Sequence, residues 1–498
     1  MFESSHPFAP FDYLRVPYDV VGTVVPRGTP SYVGVLRVSA RENPAAGGRL
    51  VWVRDVRRGP RRPGPRRHSR RAGVYRLAGC PLPCHLSLED PWTLLGGQPD
   101  GWRPVTPVLD AEARPVAQVW RHDDGTTFLP FDPGEVMLCC WSEGYRTLGA
   151  GARARTTLRS AMVRGYYGVR PLLPRPVQLS LRRALARRQE PPAFPAWPVE
   201  HGLQDLYAWL LGVVGTVAGA PVPWIAPWPD GKTWAFVLTH DVETQQGRDE
   251  RELLRADERS RGYRSSWNFV PERYQVDAAT RAAVETDGCE VGVHGLRHDG
   301  KDLASARALA RRLPAIRDYA DRWGATGFRS PATQRGWRLM PRLGFDYDSS
   351  YTDTDPYEPQ PGGCCSVYPF FIRHMVELPI TLPQDHTLFE ILREPDGRIW
   401  LEKAHTLRSQ GAMVLVLTHP DYARDPREAA AWRDLLEAFH GDETMWHALP
   451  RDVAAWWRQR AVSVPRRVDG RWEVDGPAAG RARVTLTDAA APLTGSAR

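Results

Sequence analysis

Residues 231 to 462 constrain the fold most, because short apolar runs alternate there with helix-like segments. The runs are WAFVLTH (234 to 240), SWNFV (266 to 270), CEVGVHG (289 to 295), ATGFRSP (325 to 331), MVELPIT (375 to 381) and MVLVLTHP (413 to 420). Between two of them, Leu309, Leu313, Ile316, Ala320 and Trp323 recur at spacings of four, three, four and three, one apolar stripe at helical period. Pro314 inside that stripe predicts either a kink or a helix start. Strand followed by helix, repeated, predicts a parallel sheet, closed or doubly wound.

The flanking sequence reads differently. Residues 1 to 150 hold short β-type runs, Tyr32 to Val38, Leu50 to Val53 and Val116 to Arg121, and Asp124-Gly125 reads as a hairpin turn before TTFLPF. A separate β-containing N-terminal domain is expected there. Residues 151 to 230 read as a basic connector and helix, and 463 to 498 as a hairpin within RWEVDGPAAGRARVTLT followed by a polar tail. Hydrophobic residues at 42% and aromatics at 10%, with 19 Trp, exclude a mostly disordered chain.

The net charge of +8 is local: residues 54 to 71 carry nine Arg and one Asp, and the other 480 residues balance. That run, interleaved with Pro and Gly, reads as a solvated surface loop, and without aromatic stacking platforms it argues against nucleic acid as a partner. A second stretch, 153 to 188, has ten Arg and no acid. Seven cysteines, an odd number with two adjacent pairs, are no disulfide framework and read as reduced, mostly buried thiols. The start shows no positive segment followed by an apolar one, so a cytoplasmic protein is the expectation. The longest uncharged stretch, 206 to 229, has four prolines after Ala220, leaving too few residues to span a bilayer.

Polar residues fall where a parallel sheet collects its chemistry. His240-Asp241, His294, Arg329 and His419 each stand at the C-terminal end of an apolar run. Asp241 and Glu243, two apart, face one side if the strand persists, and His240 and Val242 the other. His294 and His298 follow a strand-like segment, so they belong to a strand end and its loop. Two imidazoles and a carboxylate suit a divalent metal with an open position, leaving a second carboxylate free as a base.

The ordered series THDVE (239 to 243), HGLRH (294 to 298), FRSPA (328 to 332), FDYDSS (345 to 350) and LTHP (417 to 420) resembles the five motifs of polysaccharide deacetylases, the NodB-homology or family 4 carbohydrate esterases, over about 231 to 460. The resemblance implies an irregular (β/α)7 barrel and metal-dependent removal of N-acetyl, sometimes O-acetyl, groups from sugars. It assigns Asp241 as general base, Glu243, His294 and His298 as metal triad, Arg329 as the arginine holding the base, and His419 as general acid. Asp346 or Asp348 would support that acid, with Asp348 favoured. The backbone N–H of Ala332 would help form an oxyanion hole. One divalent ion is implied, Zn first, then Co, Ni or Mn, with a carbohydrate as substrate.

Three positions depart from the family pattern: Glu243 replaces the usual Asp, Gly295 a Ser or Thr, and Ala332 a Tyr. Loss of that aromatic leaves Trp337 and Tyr351 as candidates for sugar stacking. Cys364 and Cys365, in EPQPGGCCSVYPFF (358 to 371), read as part of a packed loop. Two competing readings keep the same fold: a non-sugar C–N amide hydrolase, and a catalytically silent barrel whose Arg-rich segments bind an anionic polymer.

Overall fold

The computed structural model describes residues 8–24, 31–37, 48–55, 70–95, 97–148, 174–189 and 192–487. The chain forms two compact units, one of residues 1–157, 201–226 and 460–498, the other of 158–200 and 227–459. The stretch read as one connector is divided between the units, helix Arg175–Arg188 going to the second and helix Gly202–Ala218 to the first.

The second unit is built on seven parallel strands: β1 (Trp234–Val242), β2 (Ser265–Phe269), β3 (Glu290–His294), β4 (Gly327–Arg329), β5 (Tyr347–Asp348), β6 (Met375–Glu377) and β7 (Met413–Thr418). They run in the order β6-β5-β4-β3-β2-β1-β7. After β6, the N–H groups of Thr381 and Leu382 both donate to Leu415 O on β7 at 3.1 Å. All residues of β1 are buried, as are those of β2, β3 and β7, which is why these strands read as continuous apolar runs. Strand β5 is two residues long and lies in none of the six runs. Phe370–Ile372, antiparallel to β6, and Met445–His447, parallel to β1, extend the sheet.

Helix Ala306–Trp323 shows how local sequence serves this sheet. Ser305 caps it, accepting a hydrogen bond from Ala308 N at 3.1 Å, and Gly324 ends it at φ +61°. Leu309, Ile316, Ala320 and Trp323 are buried on one face. Pro314 neither starts nor ends the helix: it lies mid-helix and exposed, where water can serve the carbonyl that loses its N–H partner.

In the first unit, an eight-stranded sheet includes the three expected runs as Ser31–Arg37, Arg49–Asp55 and Pro115–His122. The Asp124-Gly125 turn forms as read: strand Pro115–His122 pairs with Thr127–Leu129, Gly125 takes φ +85°, and Asp124 accepts from Thr126 N at 2.8 Å. The C-terminal hairpin forms with a different partner. Arg471–Asp475 folds back on Val464–Val468, while Val484–Leu486 pairs with Pro223–Ile225. Arg460 ties that return together, donating to the carbonyls of Ala226, Tyr13 and Ile225 at 2.7 to 3.1 Å.

Six of the seven cysteines are buried. Most of the Arg-rich run 54–71, and residues 153–173 of the second basic stretch, lie outside the described residues. Among the described residues no helix is long and apolar enough to cross a membrane.

Candidate active site

The site assembles at the C-terminal ends of β1, β3, β4 and β7. In the β1–β2 ladder Asp241 lies beside Asn268 and His240 beside Trp267. Strand alternation then separates their tasks. His240 turns into packing: Nδ1 meets Thr418 Oγ1 at 2.8 Å, Nε2 meets Glu258 Oε1 at 2.6 Å, and the ring lies 4.2 Å from Trp267. Asp241 faces the other way. Asn268 Nδ2 donates to its Oδ1 at 2.9 Å, and Arg329 approaches its Oδ2 at 3.5 Å.

Arg329 is fully buried and arrives on β4 directly opposite His294 on β3. It also donates to Thr239 Oγ1 at 3.1 Å and Ser349 Oγ at 2.9 Å, which fixes the guanidinium beneath Asp241. Burial alone would raise the Asp241 pKa, yet the fields of His294, Arg329 and His419 hold the carboxyl below its ordinary value. Asp241 therefore stays ionised, with Asn268 at one carboxylate oxygen and Arg329 at the other.

Beside it, Glu243, His294 and His298 bring one donor atom each to within 4.8 Å of one another, the one such group of His, Cys, Asp and Glu among the described residues. His294 Nδ1 lies 3.2 Å from Arg329 O, which fixes the tautomer and leaves Nε2 buried without a hydrogen-bond partner. Burial lowers the His294 pKa to about 4, so the ring is a neutral donor near pH 7. His298, in a left-handed conformation at φ 54°, places Nε2 2.8 Å from Glu243 Oε1. Despite burial, His298 and its neighbours hold the Glu243 carboxyl well below its ordinary pKa. An orphaned imidazole nitrogen, a second imidazole and an ionised carboxylate fit a divalent cation. Replacing His294 with Ala should reduce bound metal from about one ion per chain to a small fraction of that. Metal content measured after gel filtration, alongside the melting temperature, checks this.

Asp421 positions the Glu243 segment. Its Oδ2 accepts from Glu243 N at 3.2 Å, and its Oδ1 accepts from the Thr244 hydroxyl. A Cβ at Gly247 would meet Asp421 Oδ2 at 2.2 Å, so glycine is required for that approach.

His419, at the end of β7, is locked by Asp385. Its backbone N–H donates to Asp385 Oδ2 and its Nδ1 to Oδ1 at 2.6 Å, leaving Nε2 toward Glu243 Oε1 at 3.7 Å. Burial opposes charge on this ring, but Asp385, Glu243 and Asp241 outweigh it and push the pKa up to about 10.

This corrects the expectation for the supporting carboxylate, which is neither Asp348 nor Asp346. Asp348 lies next to Glu377 in the β5–β6 ladder and accepts from Ser350 N and Oγ, each at 3.0 Å. Burial raises its pKa to about 6, and burial with Asp348 alongside raises Glu377 well above the carboxylate range, so the pair shares a proton. Asp346 is exposed and precedes β5, at the opposite end of a parallel strand from the site. Asp385 carried no motif. Asn268 was detectable as the polar residue near the C-terminal end of SWNFV.

Ala332 is half-buried at φ 52° in the turn after β4. Tyr351 is 1% exposed and packs edge-on against Phe370, so it is a core ring and not a stacking surface. Trp337 is half-buried, stacked on Phe370 at 6.3 Å. Closer to the chemistry, half-buried Tyr422 stands between His386 and His419, each ring centroid 5.6 Å away. Cys364 and Cys365 are buried, with sulfurs facing the backbone carbonyls of Ser366 and Gly363, as a packed loop requires.

No family model matches the chain, and no curated protein matches it. Solved structures do. One from Mycobacterium smegmatis, described as a polysaccharide deacetylase, is 19% identical over 46% of this chain and 92% of its own, with a TM-score of 0.39. Puue allantoinase is 17% identical over 47% of this chain and 93% of its own, TM-score 0.37. A family 4 carbohydrate esterase from Streptomyces lividans is 13% identical over 44% of this chain and 93% of its own, TM-score 0.29. Polysaccharide deacetylases and family 4 carbohydrate esterases are thus among the solved structures similar to a little under half of the chain.

Proposed function

We propose that the parallel-sheet unit is a NodB-type (β/α)7 barrel and a metal-dependent hydrolase that removes N-acetyl groups from an amino-sugar glycan or glycan intermediate. The observation that carries this reading is the placement of an ionised Asp241, outside the donor set, beside the Glu243, His294 and His298 triad, with His419 Nε2 3.7 Å from Glu243 Oε1. A divalent ion, Zn first, held by that triad would lower the pKa of a water and polarise an amide carbonyl. Asp241 takes the proton released as the water attacks, kept ionised and aligned by Asn268 and Arg329. His419, protonated at neutral pH and oriented by Asp385, gives its Nε2 proton to the leaving amine. The N–H of Ala332 is the proposed main-chain donor to the carbonyl oxygen.

Acetate release from an N-acetylglucosamine oligomer by the metal-loaded protein tests the reaction. No release under any metal loading would overturn it. The non-sugar amide reading has one observation in its favour: Ala332 and the buried Tyr351 leave little aromatic wall. Turnover of a small cyclic amide with none of the oligomer would select it.

Tyr422 offers the remaining aromatic face beside His419. Tyr422→Ala should raise KM for the oligomer about tenfold, the order of one lost stacking contact, with a smaller change in kcat. Tyr422→Phe should keep the wild-type KM. Steady-state kinetics across oligomer lengths checks both.

A further inference from the structure

Helix Arg175–Arg188 is packed with the wrong face outward. Its Arg183 donates to Glu390 O at 2.8 Å and pairs with Glu390 Oε2 at 3.0 Å, and Arg182 reaches Tyr357 O at 3.4 Å. Past its end, Gln189 donates to Pro356 O at 2.9 Å. These polar contacts hold one face against the segment His386–Leu392, which begins immediately after Asp385. The opposite face presents Val177, Leu181 and Leu185, 42%, 50% and 65% exposed. A spacing of four advances about 40° per step, so the three side chains share a sector of roughly 80°. Because Arg182 and Arg183 are spent on docking, the stripe cannot turn inward without breaking those bonds.

The charge carried by the helix itself has one sign. No acidic residue occurs from 144 to 189, and ten Arg fall between 153 and 188. Arg187 and Arg188 are exposed at the end of the helix that carries Leu185. An apolar stripe bordered by arginine, on a helix too short to span a bilayer, is the pattern of an element lying in an anionic lipid interface. Nucleic acid would leave the leucines in water.

We propose that helix Arg175–Arg188 docks the protein on an anionic lipid surface, with Val177, Leu181 and Leu185 entering the headgroup region and Arg187 and Arg188 meeting lipid phosphates. The inference goes beyond the proposed reaction. Its readout is binding, so it stands or falls separately from deacetylation.

The full chain is sedimented with vesicles of equal parts phosphatidylcholine and phosphatidylglycerol, and with vesicles of phosphatidylcholine alone. The expected result is co-sedimentation with the anionic vesicles, at least about tenfold weaker on the neutral ones and weakened by salt. Leu181→Glu/Leu185→Glu should lose binding at least about tenfold with an unchanged melting temperature, because both side chains are exposed. Arg187→Gln/Arg188→Gln should weaken binding and flatten its salt dependence. The proposal is overturned if the wild type stays in the supernatant, or if the glutamate variant still binds. It is equally overturned if that variant melts lower or changes solution mass, since the stripe is then covered by this chain or a second copy.

Discussion

Asp241→Asn should abolish turnover, with kcat falling about 10²- to 10⁴-fold, while the protein keeps its metal. The substitution is isosteric and removes one proton acceptor. Glu243, His294 and His298 are untouched, so the donor set within 4.8 Å persists. The change does remove a counter-charge from buried Arg329, whose remaining partners are Thr239 and Ser349. Some loss of stability is therefore expected, since an ion pair broken from one side leaves a buried charge behind. Three measurements separate the effects: metal content, melting temperature and kcat at saturating substrate. Lost kcat with retained metal, at a temperature where the variant is folded, supports Asp241 as the base. Full activity in that variant overturns the assignment, and lost metal would place Asp241 in the ligand set.

The contrast between Asp241 and Asp385 shows what a sequence can display. Asp241 is legible because it ends a wholly buried strand, where apolar residues give way to polar ones at the rim. The same holds for His294, Arg329 and His419. Their convergence follows from register: His294 opposite Arg329, and His240 opposite Thr418, one residue before His419. Asp385 caps the helical segment His386–Leu392, 34 residues before His419, with no periodicity to mark it. Only the path of the chain over the sheet brings it to the imidazole. Asp348 looked suitable because it lies on a strand in a motif, yet ladder pairing hands it to Glu377.

The first unit divides along the same line. A two-residue turn such as Asp124-Gly125 is written locally in the backbone preferences of its residues. The pairing of Val484–Leu486 with Pro223–Ile225 joins three-residue strands about 260 residues apart, and the strand signal of the first said nothing of a partner so distant. Tyr351 misled for a related reason. Its aromatic character was visible, but its 1% exposure depends on Phe370 and Arg335 packing over it.

Asp385→Asn should cost about 10²- to 10⁴-fold in kcat and move the alkaline limb of the pH profile to lower pH. In the wild type, Asp385 makes the largest contribution opposing burial, and the His419 pKa stands at about 10. An acid must carry its proton, so activity should hold through neutral pH and fall as pH rises through that value. A neutral Asn leaves burial to dominate, the imidazolium loses its proton at lower pH, and the deficit relative to wild type grows as pH increases. The substitution also leaves the Asn amide facing Nδ1 with either its oxygen or its NH₂, so the ring's orientation is no longer dictated. Glu428 bears on the same dyad: burial first, then Asp385 alongside, raises its pKa well above the carboxylate range, so it carries a proton beside Asp385 and leaves the negative charge there. Asp348→Asn, by contrast, should leave the alkaline limb in place, because Asp348 bonds Ser350 and pairs with Glu377. Matched pH profiles of the two variants decide between the carboxylates. A shifted limb in Asp348→Asn with an unshifted one in Asp385→Asn would overturn the pairing of His419 with Asp385.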